Sequence, residues 1–248
     1  NINEIELYDL HNFHKKYYIP INSCIAIAGK LPKNYLEIFN NCEFRESRKN
    51  LTDSKQICLD NKTIKKGREI AFFKDIEFSR IFMTWQIPYA KDQKNILGYE
   101  IISSILTDGT NSILNRKLKE EKQIVESIYS GIQPGEFGSL FIIEASLERE
   151  NLKKVEDIIN NLLQELLTNS NLSNKIKKAL RIVKSNYIFN LETSSQLSQF
   201  YGNHLLWGRL NPQIELNKNF KYWKSTENLR KLIKFLLQDK FTFIAYKI

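Results

Sequence analysis

The sequence has 248 residues, of which 42% are hydrophobic and 12% aromatic, and this excludes a disordered or low-complexity chain. No apolar run reaches the ~18 residues that a membrane span needs, and Cys24, Cys42 and Cys58 are too widely spaced for a disulfide framework or a CxxC metal knuckle. The net charge of +9 is unevenly placed: residues 171–248 hold 14 Lys and Arg against 4 Asp and Glu, whereas residues 1–170 hold 23 against 24.

Such a basic region can attract acidic peptides, anionic membrane or nucleic acid. The plainer reading is solvated helix faces in a lysine-rich chain, and with no nucleic-acid motif present a nucleic-acid partner is not expected. The chain opens on Asn1 with no charged-then-apolar leader, as expected of a processed product or a piece of a longer protein. The reduced cysteine usage suggests a cytoplasmic location.

In chain order, Ile5, Leu7, Leu10 and Phe13 recur at helical spacing until Pro20 ends the pattern. The apolar run Ser23 to Gly29 reads as a strand covered on both faces, and Pro32 opens a helix reaching Asn40. Residues 43–68 are dominated by charge and read as a linker. One strand and two helices are too little for a domain, so residues 1–42 read as the tail of an incomplete one. The unpartnered strand should make the isolated chain prone to association.

From residue 69 the pattern is that of a full domain. Strands are predicted over 69–74 and 80–87, helices over about 94–106 and 111–122, with Asn111 or Ser112 placed to cap the second. An antiparallel pair follows, 124–132 and 139–147, joined through Pro134, Gly135 and Gly138. Residues 152–166 keep helical spacing, and one longer helical pattern runs from Asn174 towards Trp207. Short helices at about 212–222 and 226–238 precede a terminal strand, 241–246. Strands first and helices later predict an α+β fold, a mostly antiparallel sheet with helices packed on one face.

Three ordered segments carry a resemblance. Asp9-Leu10-His11-Asn12-Phe13-His14-Lys15-Lys16-Tyr17-Tyr18-Ile19-Pro20-Ile21-Asn22, with the apolar run to Gly29, is similar to F-x-x-x-Y-x-P-x-N-x-x-L-x-V-x-G. Leu106-Thr107-Asp108-Gly109-Thr110-Asn111-Ser112-Ile113-Leu114 resembles L-G-G-G-x-x-S-R-L. Leu118-Lys119-Glu120-Glu121-Lys122-Gln123-Ile124 through Tyr129-Ser130-Gly131 resembles L-R-E-E-K-G-L-A-Y-S-V-x-S-G. All three resemble segments of the insulinase/pitrilysin family of zinc metallopeptidases, and the resemblance covers nearly the whole chain. It implies that residues 69–248 are a complete C-terminal, non-zinc-binding family domain of a clam-like peptidase half. Partners implied are a missing N-terminal domain, a second family subunit or half, and unfolded peptide as substrate.

The departures bear on function. The inverted zinc motif H-x-x-E-H is absent, so neither a catalytic nor a metal-ligating residue is assigned to this chain, and zinc is expected only in a missing upstream domain or partner. His11 and His14 are three apart without a third ligand or a Glu base, which fits helix-surface histidines. Where the resemblance implies a substrate-contacting Arg and Tyr, this sequence has Lys119 and Glu126. Lysine keeps the charge without the planar fork, and glutamate turns a donor into an acceptor. Tyr129, three residues on, falls on the opposite face of a strand counted from Glu126, so it is not expected to substitute.

Other chemistry is absent or bland. There is no GxSxG elbow, Walker loop or dinucleotide GxGxxG. Glu120, Glu121 and Glu126 read as charge-mixed helix ends, and His204 with Trp207 as packing. The expected role is that of the C-terminal portion of a zinc-peptidase subunit, forming chamber wall and peptide-binding surface and not proteolytic alone. A catalytically inactive scaffold of the same family is the alternative.

Overall fold

A computed structural model describes residues 2–41, 66–238 and 240–248. The expected linker at 43–68 lies outside the described residues except for 66–68. The chain divides into two units, Asn1–Cys58 with Phe189–Pro212, and Leu59–Ile188 with Gln213–Ile248.

In the first unit, helix α1 (Leu7–Tyr17) begins where the Glu6 amide donates to Asp9 Oδ2 at 3.0 Å, and α2 (Tyr35–Asn40) is a short helix after Pro32. The run from Ser23 to Gly29 was expected to be a strand buried on both faces. It is extended but pairs with no strand among the described residues. Its burial alternates instead: Cys24, Ala26 and Ala28 are half-buried while Ile25 and Ile27 are exposed. The half-buried side rests on a later helix of the same unit, where Cys24 Sγ donates to the Gly202 carbonyl at 3.2 Å and Ala26 lies against Gly202.

The second unit holds strands β1 (Gly67–Phe73) and β2 (Ser79–Ile87), helix α3 (Gln93–Thr107), a π-helical segment Asn115–Glu121, and strands β3 (Ser127–Gln133) and β4 (Ser139–Leu147). Helices α4 (Leu152–Thr168) and α5 (Leu172–Phe189) follow. Helix α6 (Ser194–Leu206) belongs to the first unit, and α7 (Pro212–Tyr222), α8 (Thr226–Leu236) and strand β5 (Phe241–Lys247) complete the chain. The single pattern read from Asn174 to Trp207 is therefore two helices. Thr193 ends the first by capping the second: its hydroxyl accepts from Gln196 N at 3.2 Å, and Gln196 Oε1 accepts from Thr193 N at 3.1 Å.

The five strands lie in the order β1-β5-β2-β4-β3, antiparallel except that β1 runs parallel to β5. This is the expected α+β architecture. Period-two alternation gives each central strand one buried face: Ile81, Met83, Trp85 and Ile87 on β2, and Phe141, Ile143, Ala145 and Leu147 on β4. Against that face pack α3, α4 through Val155, Ile159 and Leu163, and α8 through Leu229, Ile233 and Leu236. Each fully buried side chain contributes about 1.5–3 kcal/mol, so these stripes define the core. Trp223 locks α7 to α3, its indole N–H donating to the Lys94 carbonyl at 2.6 Å.

Candidate functional site

The sheet's other face is built by the complementary residues of the same strands. Register aligns Glu69, Phe243, Phe82, Glu144 and Tyr129 across all five strands. Beside that row lie Phe241, Thr84 and Ile142, and next to them Gln86 and Leu140. None of these ten residues is buried. The result is a partly apolar platform with two carboxylates and a phenol. Tyr129 folds back over Gly131, where a Cβ would collide with its ring.

The two edges of the sheet differ. On β3 the outer edge is closed at Ser130, whose N–H donates to Thr107 Oγ1 at 3.1 Å and whose carbonyl accepts from Ser103 Oγ at 2.7 Å. The Ser130 hydroxyl lies 2.8 Å from Thr107 Oγ1, which completes a buried hydroxyl cluster between α3 and β3. Strand β1 pairs on one side only among the described residues, and it leaves Ile70, Phe72 and Phe73 exposed. It is tied to α4 by Arg68, which reaches Glu156 at 2.9 Å.

Lys119 and Glu126 are brought together at the entry to β3. The Lys119 ammonium donates to the main-chain carbonyl of Glu126 at 2.9 Å, and the Glu126 amide donates to the Ser146 carbonyl at 2.8 Å. Both residues are exposed. Lys119 lies in the π-helical segment, where the five-residue spacing lets Arg116 Nε reach Glu121 Oε1 at 3.0 Å, while Lys117 Nζ reaches Oε2 at 2.9 Å. The Lys117 hydrogen bond, helped by Arg116, holds the Glu121 carboxyl below its usual range. Strand β3 begins at Ser127, so the strand parity expected to set Tyr129 opposite Glu126 does not extend to Glu126. Tyr129 is itself 60% exposed.

The stretch Leu106 to Leu114 is a structural corner. Leu106 and Leu114 are fully buried, and Gly109 turns the chain at φ +78°. Ser112 caps through its main-chain carbonyl, which accepts from Arg116 N at 3.0 Å, while its hydroxyl donates to the Gly109 carbonyl. Asn115 closes the corner by donating to the Thr107 carbonyl at 2.6 Å. Sequence reasoning missed Asn115, Ser103 and Thr107, because their partners are main-chain groups distant in sequence.

The described residues do not fit a zinc site. Among them no group of three or more His, Cys, Asp or Glu is arranged to hold a metal. His14 is exposed and stacks on Tyr18 at 4.7 Å, and His204 is buried edge-on between Phe200 and Trp207. No described helix is long and apolar enough to cross a membrane.

Comparison with known proteins agrees with this geometry. The chain is similar to a zinc protease, PqqE, of Helicobacter pylori, at 24% identity over 90% of this chain and 51% of that protein. It thus spans about half the length of that relative. A crystal structure of a protease from Helicobacter pylori superposes with a TM-score of 0.77 at 19% identity, over 98% of this chain and 60% of that one. A peptidase M16 inactive domain from Pseudomonas fluorescens superposes at 0.63 with 13% identity, over 74% of this chain and 44% of that one. The family profile described as the peptidase M16 inactive domain matches residues 4–180. The chain belongs to the insulinase-type M16 peptidase family, as a member of its inactive domain.

Proposed function

We propose that this chain is the C-terminal portion of a zinc metallopeptidase subunit, forming chamber wall and peptide-binding surface while a companion catalytic domain or subunit holds the metal. In this reading residues 1–42 end a preceding domain and residues 69–248 are the complete inactive one. The observation that carries it is the asymmetry of the sheet edges. Ser103 and Thr107 close β3, whereas β1 keeps a free edge among the described residues beside exposed Ile70, Phe72 and Phe73. An extended peptide adding to β1 would bond through main-chain groups, which suits capture of unfolded chains of many sequences.

Hydrogen exchange read residue by residue tests this. An unstructured peptide in excess should slow alternate amides in Gly67–Phe73 and leave Ser130 unchanged. Protection spread evenly over the sheet, or none, would sink the reading.

A scaffold subunit is the second reading, and the Lys119 contact favours it, because its ammonium clasps a loop carbonyl rather than standing free. Charge-removing changes at Lys119 and Glu126 in the assembly with the catalytic companion separate the two. Lost peptide turnover supports a substrate role; unchanged turnover with intact assembly supports the scaffold.

A further inference from the structure

The charge excess of the last third of the chain is not spread evenly over solvated faces. A groove of about 730 Å³ runs between α5 and α7, and Lys177, Arg181, Lys184, Lys221 and Lys224 line it with no carboxylate among its walls. None of the five has a carboxylate partner among the described residues. The spacings 177, 181 and 184 put like charges on neighbouring turns of α5, an arrangement that disfavours the helix itself, while Lys221 lies in the last turn of α7 and Lys224 in the turn after it. A fold that keeps five unpaired cations around one depression gains from an anionic occupant.

The floor narrows the class of occupant. Ile176, Leu180 and Phe220 form it, and Asn217 and Ser173 are the neutral polar residues present. Phe220 is only 9% exposed, with its ring packed edge-on against Tyr187 at 6.1 Å. It is not presented for base stacking, the usual anchor of single-stranded nucleic acid. A concave cleft also does not admit the flat surface of a bilayer. An apolar floor flanked by cations suits a segment with apolar side chains on one side and carboxylates on the other. Lys177 to Lys184 spans ~10 Å along the α5 axis, about two turns of a bound helix.

We propose that the α5–α7 groove is a docking site for an acidic amphipathic protein segment, separate from the sheet face and from any catalytic role. The pairing is charge-assisted and on the rim, so it is salt-sensitive and sets recognition and association rate. The apolar floor supplies the anchor.

The test is fluorescence anisotropy on the full chain, with a labelled Glu/Leu peptide whose leucines keep helical spacing. Saturable binding should weaken at least about tenfold in the Arg181→Glu/Lys221→Glu double variant. Lys234→Glu, an exposed charge reversal on α8, should leave it within about twofold. A peptide with Gln in place of Leu should also bind at least about tenfold more weakly, which tests the floor without altering the protein. Circular dichroism should show both variants folded, as both alter exposed side chains. The proposal is overturned if the double variant or the Gln peptide binds as well as the reference pair. It is equally overturned if single-stranded oligothymidine or phosphatidylserine vesicles outcompete the Glu/Leu peptide.

Discussion

Replacing Thr107 by Val deletes one hydroxyl at nearly constant volume and tests the closure of the β3 edge. The Thr107 hydroxyl accepts from the Ser130 amide at 3.1 Å and meets the Ser130 hydroxyl at 2.8 Å, at a residue only 2% exposed. Without it the Ser130 N–H is stranded away from water, which costs about 1–3 kcal/mol. No cavity term adds to this, because valine fills the space. Three residues earlier on the same helix, the Ser104 hydroxyl is buried without a hydrogen-bond partner among the described residues, so Ser104→Ala should be neutral or stabilise by up to about 1 kcal/mol. Urea denaturation of the two variants side by side gives both signs in one experiment. A Thr107→Val loss below about 0.5 kcal/mol, or a Ser104→Ala loss as large as that of Thr107→Val, would refute the assignment.

Other outcomes follow from the packing and the charges. Burial pushes the Glu100 carboxyl up from 4.5 to about 7, partly offset by the Tyr187 hydroxyl donating at 3.0 Å. The folded state therefore holds this proton more tightly than the unfolded one, so stability is greatest below about pH 4.5 and falls as pH rises to about 7. This contribution is at most about 3 kcal/mol. Glu100→Gln should remove that slope in denaturation curves taken across the range; an unchanged slope would assign it elsewhere. Gly98→Ala would place a Cβ 2.5 Å from Trp223 and from Leu232, and overpacking of this kind costs about 1–3 kcal/mol. Tryptophan emission and melting should both shift. Glu126→Ala should leave the loop before β3 intact, since Lys119 binds the main-chain carbonyl, whereas Lys119→Met should speed amide exchange there; the reverse ranking would contradict the clasp.

Much of the fold was legible, and the reasons are specific. Strand β4 falls at the predicted 139–147 because the apolar run Leu140 to Ile143 and the residues after it are bracketed by Gly138 and the charged run Glu148-Arg149-Glu150. The break between α5 and α6 was missed, although Thr193-Ser194-Ser195-Gln196 carries a capping-box spelling that could have revealed it. Hydrophobic spacing continued across the break and masked it. The alternating burial of Cys24 to Ala28 was hidden for another reason: every residue there is apolar or small, so one-sided packing leaves no mark in the sequence. Lys119 and Glu126 could be singled out as departures, but the contact joining them uses a main-chain carbonyl, which side-chain identity does not report. Charge counting located the basic third of the chain, and only the pairing of α5 with α7 gathers five of those cations into one groove.

The position of β5 constrains how the sheet can be made. Residues 241–247 lie between β1 and β2, so the two earliest strands of the sheet are neighbours only through one that leaves the ribosome more than 150 residues later. During synthesis β2 can pair with β4, but β1 has no lasting place until that late strand arrives. Long-range closure of this kind is slow and leaves apolar edges exposed meanwhile. A nascent chain stalled before Phe241 should hence be a client for chaperones and proteases, and the commitment to a stable product comes in the last moments of translation of this segment.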